Sequence, residues 1–129
     1  MHRLLVINPG STSTKVAVFE DEQPLLVETL RHSSQDLAAV PHVLDQYGFR
    51  LQSVLELLRS RGIMMSSLAA VVARGGLLRP IASGTYSVNG KMVEELSRRD
   101  AEREHASGLG APLADEIANL SGIPAYIVD

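Results

Sequence analysis

Short apolar runs separated by turn-forming residues predict five β-strands along this chain. The runs cover residues 4–7, 15–19, 25–30, 68–73 and 125–128, and each has the length and apolar content of a buried strand. Only the turn-forming stretches N-P-G-S-T-S-T and E-D-E-Q-P lie between the first three runs. Two such short connections favour an antiparallel meander of three strands.

Two further stretches carry apolar residues at the three- and four-residue spacing of an amphipathic helix. The first stripe consists of Leu51, Val54, Leu55 and Leu58, and the second of Leu109, Leu113, Ile117 and Leu120. Gly62 and Gly122 follow the two stripes, at the position where glycine commonly ends a helix. We also expect an earlier helical segment that Pro41 starts or interrupts and Gly48 punctuates, a loop over residues 77–88 and a short helix over residues 91–99.

The predicted element order is therefore β-β-β-α-β-α-β. Three antiparallel strands followed by strands that helices connect indicate an α/β fold, in which a mixed five-stranded sheet carries helices on its faces. The chain has 129 residues, of which 45% are hydrophobic and 21% charged. This is the size and composition of one globular domain.

Charge and cysteine content exclude several classes of function. The formal net charge is -3, so the chain lacks the basic footprint of a nucleic-acid-binding protein. It contains no cysteine, which rules out disulfides, cysteine metal sites and a thiol nucleophile. The apolar run at residues 4–7 is too short for a signal peptide, and no run has the length of a membrane span. We expect a cytoplasmic protein that binds neither nucleic acid nor membranes.

Polar residues follow three of the predicted strands. Asn8 comes after the first strand, Arg74 after the fourth and Asp129 after the fifth. Because ligands of open α/β sheets bind outside the carboxyl ends of strands, these side chains could converge on one site. Strand ends are also polar simply because they are solvated, so the pattern alone leaves both interpretations open.

A turn rich in hydroxyl groups, G-S-T-S-T-K, joins the first two strands. Gly10 leaves backbone N–H groups free to face an anion, and Lys15 adds a positive charge. Hydroxyl donors come from Ser11, Thr12, Ser13 and Thr14. The stretch is not a Walker loop, because the G-x-x-x-x-G-K spacing is missing and a strand follows it. The residues themselves allow either a phosphate site or an ordinary hairpin turn.

Three other positions have a similar choice of interpretations. Arg74 could hold a carboxylate or phosphate in bidentate fashion while Gly75 lets the backbone approach the ligand, or the pair could form a surface loop. His105 follows the charged run R-R-D-A-E-R-E and is either a ligand or an ordinary surface residue. Asp129 could orient a metal ion or a nucleophile, or it could be solvated.

Four motifs taken together resemble the butyrate kinases of the acetokinase family, which belong with acetate and sugar kinases, Hsp70 and actin. They are I-N-P-G-S-T-S-T-K-V-A-V-F-E-D, A-R-G-G-L-L-R-P-I-A-S-G-T-Y-S-V-N, E-H-A-S-G-L-G-A and I-P-A-Y-I-V-D. The resemblance implies a ribonuclease H-like lobe whose sheet has the strand order 3-2-1-4-5. It also implies reversible phosphoryl transfer from ATP to butyrate or a branched short-chain carboxylate, which gives ADP and an acyl phosphate and uses Mg²⁺.

The resemblance assigns roles to particular residues. Asn8, Ser11, Ser13 and Lys15 match the family's first phosphate loop, with Asn8 in the magnesium shell. His105 matches the histidine that stabilises the transferring phosphoryl group, and Asp129 matches the catalytic aspartate, which would also contact Mg²⁺.

The sequence departs from the family pattern around the fourth predicted strand and after H-A-S. Acetate kinases have H-R-V-V-H-G-G where this chain has A-V-V-A-R-G-G, so their substrate-binding arginine aligns with Val71 and their second histidine with Arg74. Butyrate kinases carry Asn where this chain has Gly108. Arg74 and Gly75 are candidate substrate contacts, and Ala73 is a candidate residue for widening the acyl pocket to four carbons. Arg74 is also a candidate catalytic residue, which together with His105 would neutralise charge during the transfer.

Length separates two readings of the chain. Acyl kinases have two such lobes, so residues 1–129 correspond to an N-terminal lobe that lacks the C-terminal one, and we expect no acyl kinase activity from this chain alone. The complete enzyme is expected to form a homo-oligomer. The alternative is a non-catalytic module of the same fold that only folds or associates.

Overall fold

The computed structural model describes residues 2–74, 85–88 and 109–128, with the backbone alone at positions 43, 44, 85 and 86. Six strands form one sheet in the order β3-β2-β1-β4-β6-β5. The strands are β1 (Arg3–Pro9), β2 (Ser13–Glu20), β3 (Gln23–Arg31), β4 (Ala70–Arg74), β5 (Thr85–Ser87) and β6 (Ala125–Val128). The helices are α1 (Ser34–Ala39), α2 (Tyr47–Ser60) and α3 (Gly110–Ser121), with 3₁₀ turns at Val43–Gln46 and Met65–Ser67.

The predicted meander and the predicted strand order are confirmed. Strands β1, β2 and β3 pair in antiparallel fashion, and β4 then pairs in parallel with both β1 and β6. The five predicted strands correspond to β1, β2, β3, β4 and β6, which lie in the order 3-2-1-4-5. Strand β5 is an addition, because residues 77–88 were expected to form a loop. Its three residues carry no apolar run, and β5 forms through antiparallel pairing with β6.

One face of the sheet carries the described core. Leu5 and Ile7 on β1 are fully buried, and they share this face with Val16 and Val18 of β2 and with Ala73 of β4 through the strand register. The helices α2 and α3 cover the same face and contribute the buried residues Val54, Leu57, Leu58, Ala111, Leu113, Ala114, Ile117 and Ala118. The sheet and its two covering helices therefore form two layers.

The two predicted helical stripes hold in part. Val54 and Leu58 of the first stripe are buried, whereas Leu51 and Leu55 are half-buried at the edge of the core. In the second stripe, Leu120 is 58% exposed while the other three members are buried. The buried stripe of α3 therefore ends before Leu120, so helical spacing alone overestimates the buried face.

Glycine ends α3 as predicted. Gly122 has a φ of +66°, in the left-handed region, and its N–H donates to the carbonyl groups of Ala118 and Asn119. Gly48 does not interrupt a helix, since it is the second residue of α2. The short helix predicted over residues 91–99 lies outside the described residues. None of the helices within the described ranges is long and apolar enough to cross a membrane.

Candidate functional site

Three of the predicted site residues form a row across the sheet. Asn8 and Lys15 are direct partners in the β1–β2 pair, so their side chains lie on the same face. The parallel register Ile7↔Ala73 brings the next residue of β4, Arg74, beside Asn8 on that face. This face is opposite to the one that α2 and α3 cover. Two cationic side chains, both exposed, therefore flank a half-buried amide at the carboxyl ends of β1 and β4.

The β1–β2 turn adjoins this row and is shorter than predicted. Residues 11–15 were expected to form the loop, but residues 13–15 belong to β2, and only residues 10–12 lie between the strands. The Gly10 N–H donates to the Ser13 carbonyl over 2.7 Å. Strand alternation then separates the hydroxyl groups, because Thr14 is buried on the core face while Ser13 and Lys15 lie on the opposite face.

Three consecutive carbonyl groups of this turn accept hydrogen bonds from Arg50 or from the backbone of His32. The Ser11 and Ser13 carbonyls accept hydrogen bonds from Arg50, at 3.2 and 3.0 Å, and the Thr12 carbonyl accepts one from the His32 N–H at 2.9 Å. In a planar trans peptide the N–H of the next residue points opposite to the carbonyl. The Thr12 N–H therefore points away from the Arg50 guanidinium, toward the side of the turn where a backbone N–H can bind an anion. The Ser13 N–H points away from β3, toward the β1 side of the turn.

Arg50 lies beneath the turn with its side chain fully buried. All five of its N–H groups are used. Besides the two turn carbonyls, Nη1 donates to Thr14 Oγ1 at 3.2 Å, and Nε and Nη2 both donate to Gln46 Oε1, at 3.2 and 2.8 Å. Every one of these acceptors is a neutral oxygen. Burial lowers the pKa of Arg50, but a guanidinium remains charged in proteins.

His32 completes this network on the side of β3. Its Nε2 lies 2.8 Å from Thr14 Oγ1, and its ring packs edge-on against Phe49 with the ring centroids 5.2 Å apart. Burial lowers the pKa of His32, and the nearby Arg50 cation lowers it further, while Asp36 opposes the shift. A neutral His32 can accept a hydrogen bond from the Thr14 hydroxyl group, whereas a protonated ring would add a second cation beside Arg50.

Stability is expected to fall as the pH falls below about 6.5, the ordinary pKa of histidine. Because the pKa of His32 is lowered in the folded chain, the unfolded chain binds a proton in a pH range where the folded chain does not. The His32→Gln variant keeps a polar side chain without this titration, so its free energy of unfolding should change less between pH 7.5 and pH 5.5. Urea denaturation at the two pH values measures the difference. His2→Gln, at an exposed position, is the control, and equal pH sensitivity of both variants would contradict the prediction.

The remaining predicted site residues have different outcomes. Gly75, His105 and Asp129 lie outside the described residues, so their roles stay predictions. Val128, the residue before Asp129, pairs with Arg74. Ala73 is fully buried on the core face. A Cβ added at Gly110 would lie 3.3 Å from the Cβ of Ala73. The predicted contact of Ala73 with an acyl chain therefore remains a prediction that this packing against α3 does not favour.

A resident magnesium site does not follow from the described residues. Mg²⁺ is usually held by one or two carboxylates together with substrate phosphates. The described residues hold no group of three or more His, Cys, Asp or Glu side chains suited to a metal ion. At the row, they offer the neutral amide of Asn8 next to the Lys15 cation. The predicted magnesium role of Asn8 and Asp129 thus depends on residues and ligands beyond this part of the chain.

Sequence reasoning missed the support beneath the turn, namely Gln46, Arg50, His32 and Thr14. One signal was available in the helical pattern. Arg50 precedes Val54 by four residues and Leu57 by seven, which places a charged residue on the apolar stripe of α2. A charged residue on a buried face requires partners. The pattern could have indicated a buried arginine, but not the turn that it contacts.

Comparisons with known proteins identify the fold. No family model matches this chain. Acetate kinase from Porphyromonas gingivalis matches with a TM-score of 0.62 and 14% identity, covering 99% of this chain and 37% of the kinase. A propionate kinase from Francisella tularensis matches with a TM-score of 0.57 and 17% identity, covering 99% of this chain and 36% of that one.

A protein with a different function shares the same fold. T. thermophilus RuvC, solved in complex with a Holliday junction substrate, matches with a TM-score of 0.55 and 18% identity, covering 98% of this chain and 64% of RuvC. The chain thus spans less than two thirds of the length of each of these proteins. Together the matches confirm the predicted ribonuclease H-like fold, which acetate and propionate kinases share.

Proposed function

We propose that this chain is the N-terminal lobe of a butyrate kinase-type phosphotransferase, which transfers a phosphoryl group between ATP and a short-chain carboxylate. The observation that carries the proposal is the β1–β2 turn: its Thr12 N–H points away from the buried Arg50, and the exposed cations Lys15 and Arg74 lie in the row that adjoins the turn. Backbone N–H groups and fixed cations together are a recurrent arrangement for binding phosphate.

In this proposal each described site residue either binds a charged group of the ligands or orients them. The turn and Lys15 hold phosphate oxygens, and Arg74 pairs with the carboxylate or with the transferring group. Asn8 orients the ligand between the two cations. Phosphoryl transfer requires positioned reactants and donors that compensate the spreading negative charge. His105 and Asp129 are proposed to add charge stabilisation and substrate placement, and Mg²⁺ would arrive with the nucleotide.

The fold matches support this assignment at a coarse level. Acetate and propionate kinases share the fold, and the complete enzyme would need a second lobe, because this chain covers only 37% and 36% of those two kinases. The second lobe, the short-chain carboxylate and ATP are the proposed partners. RuvC shares the fold as well, but a net charge of -3 does not favour binding to a nucleic acid backbone. The competing proposal from another class is a module that folds or associates without binding phosphate.

Inorganic phosphate and butyryl phosphate are expected to bind this chain at the β1–β2 turn. In ¹H–¹⁵N NMR titrations, the amide signal of Thr12 should shift with saturation, since its N–H points away from the buried Arg50. Lys15→Met should weaken the affinity about tenfold, the size of one lost charge-assisted hydrogen bond. Arg61→Met removes an exposed cation that pairs with Glu28 and should leave the affinity within about twofold. Chloride at equal ionic strength excludes a general salt effect.

The outcome separates the two proposals. Saturable shifts confined to the turn support the kinase lobe. Shifts that follow ionic strength alone, or the absence of any shift at the turn, would contradict the phosphate site and favour the non-catalytic module.

A further inference from the structure

The buried Arg50 guanidinium places a permanent positive charge beneath the β1–β2 turn. Its five N–H groups are all bonded to neutral oxygens of Gln46, Ser11, Ser13 and Thr14. None of these bonds neutralises the cation. A buried cation without a bonded carboxylate is costly to hold in a folded protein, since desolvation opposes it.

The orientation of the turn transmits this charge to its outer surface. Arg50 Nη2 donates to the Ser11 carbonyl at 3.2 Å, and the same peptide unit presents the Thr12 N–H on its opposite side. A hydrogen bond to a carbonyl polarises the peptide group and strengthens its N–H as a donor. The negative end of this peptide dipole therefore faces the Arg50 cation, and its positive end would face an anion bound to Thr12.

A purely structural role would not require a charge. Neutral donors could bond the Ser11 and Ser13 carbonyls without the desolvation of a guanidinium. The charge would stabilise an anion bound on the far side of the turn, because a positive charge in a medium of low dielectric attracts an anion more strongly than one in water. Such a buried charge is also less screened by salt than Lys15, which is exposed.

We propose that Arg50 is a positioning residue of the phosphate site: it aims the Thr12 N–H outward and supplies a permanent positive charge behind the turn. This inference rests on the proposed function, since it requires that the turn binds phosphate. It assigns part of the phosphate affinity to a residue that lies on the core face of the sheet and does not touch the ligand.

The Gln46→Glu variant tests the charge separately from the geometry. A glutamate can accept the same two hydrogen bonds from Nε and Nη2, and its carboxylate neutralises the guanidinium. It loses the bond from Gln46 Nε2 to the Val40 carbonyl, 3.1 Å long. Gln52→Glu is the matched control, because it adds the same charge to an exposed position of α2, the helix that carries Arg50.

The probe is inorganic phosphate, titrated into this chain and into each folded variant. Gln46→Glu should keep the thermal midpoint near that of the parent and weaken phosphate binding about tenfold, as expected for one charge acting over several ångströms at an effective dielectric constant of about 20. Gln52→Glu should change the affinity less than twofold. A structural role for Arg50 predicts instead that Gln46→Glu and Gln52→Glu bind phosphate equally well, and that result would overturn the inference.

A second variant decides the question if Gln46→Glu does not fold. Arg50→Lys keeps the charge but has three donors in place of five, so it should lower the thermal midpoint while phosphate affinity stays within about threefold of the parent value. Loss of affinity in a folded Arg50→Lys that is as large as in Lys15→Met would contradict a charge role. Absence of phosphate binding by the parent chain would overturn the proposed function itself, and the inference with it, before any variant is compared.

Discussion

Replacing Gly110 with alanine is expected to lower the free energy of unfolding by about 2 kcal/mol, within the range for overpacked sites. A Cβ at this position would lie 2.6 Å from the Arg74 carbonyl oxygen and 3.3 Å from the Ala73 Cβ. The first contact is with backbone of β4, which cannot rotate away as a side chain can. Helix α3 or the end of β4 must therefore shift, and the residues of α3 that follow Gly110 are packed in the core.

Gly48→Ala is the matched control for this substitution. Gly48 is also near the start of a helix, but a Cβ there would meet nothing within 4 Å. Alanine should therefore raise the free energy of unfolding by up to about 1 kcal/mol through its higher helix propensity. Urea denaturation of the parent and both variants measures the two effects. If Gly110→Ala were as stable as the parent, the close approach of α3 to β4 would be wrong.

Arg50→Met is expected to have a still larger effect, a loss of about 3 kcal/mol of stability, because buried acceptors left without a donor cost about 1–3 kcal/mol each. Methionine fills the volume of the aliphatic stem but donates no hydrogen bond. The Ser11 carbonyl, Thr14 Oγ1 and Gln46 Oε1 all lose their bonds from Arg50. Relief of the guanidinium desolvation offsets part of this loss.

Arg59→Met provides the comparison on the same helix. The Arg59 side chain is exposed and pairs with Glu56 one helical turn earlier, and such surface pairs contribute between zero and about 1 kcal/mol. Thermal unfolding should therefore separate the two variants by about 10 °C, with Arg59→Met close to the parent. Equal midpoints for the two variants would show that the network beneath the turn does not stabilise the fold.

Local patterns in the sequence were enough to predict the strands that have an apolar run and the short connections between them. The runs at residues 4–7, 15–19 and 25–30 predict β1, β2 and β3, and short turns between them favour the antiparallel meander that the structure has. The helical stripes and Gly122 predict α2, α3 and the end of α3. These features depend on residues within a few positions of one another, which is the range over which periodicity and turn chemistry act.

Part of the candidate site was also within reach of the sequence. Asn8 and Arg74 were predicted from their places at strand ends, and the parallel register of β1 and β4 brings them together. Parallel neighbours end at the same edge of a sheet, so this convergence follows once the strand order is known. The hydroxyl-rich turn was recognised, but the inward orientation of Thr14 follows from the point at which β2 begins.

Contacts between residues far apart in the sequence became evident from the folded chain alone. Arg50 contacts Ser11, 39 positions away in the sequence. Gly110 lies against Arg74, although residues 75–109 separate the two in the sequence. Strand β5 forms because β6 offers it an edge, not because T-Y-S has a strand pattern. Local propensity cannot encode such pairings, because their free energy arises from burial and hydrogen bonding between segments that chain folding brings together. The sequence could therefore indicate a buried arginine in α2, but not that this arginine supports the β1–β2 turn.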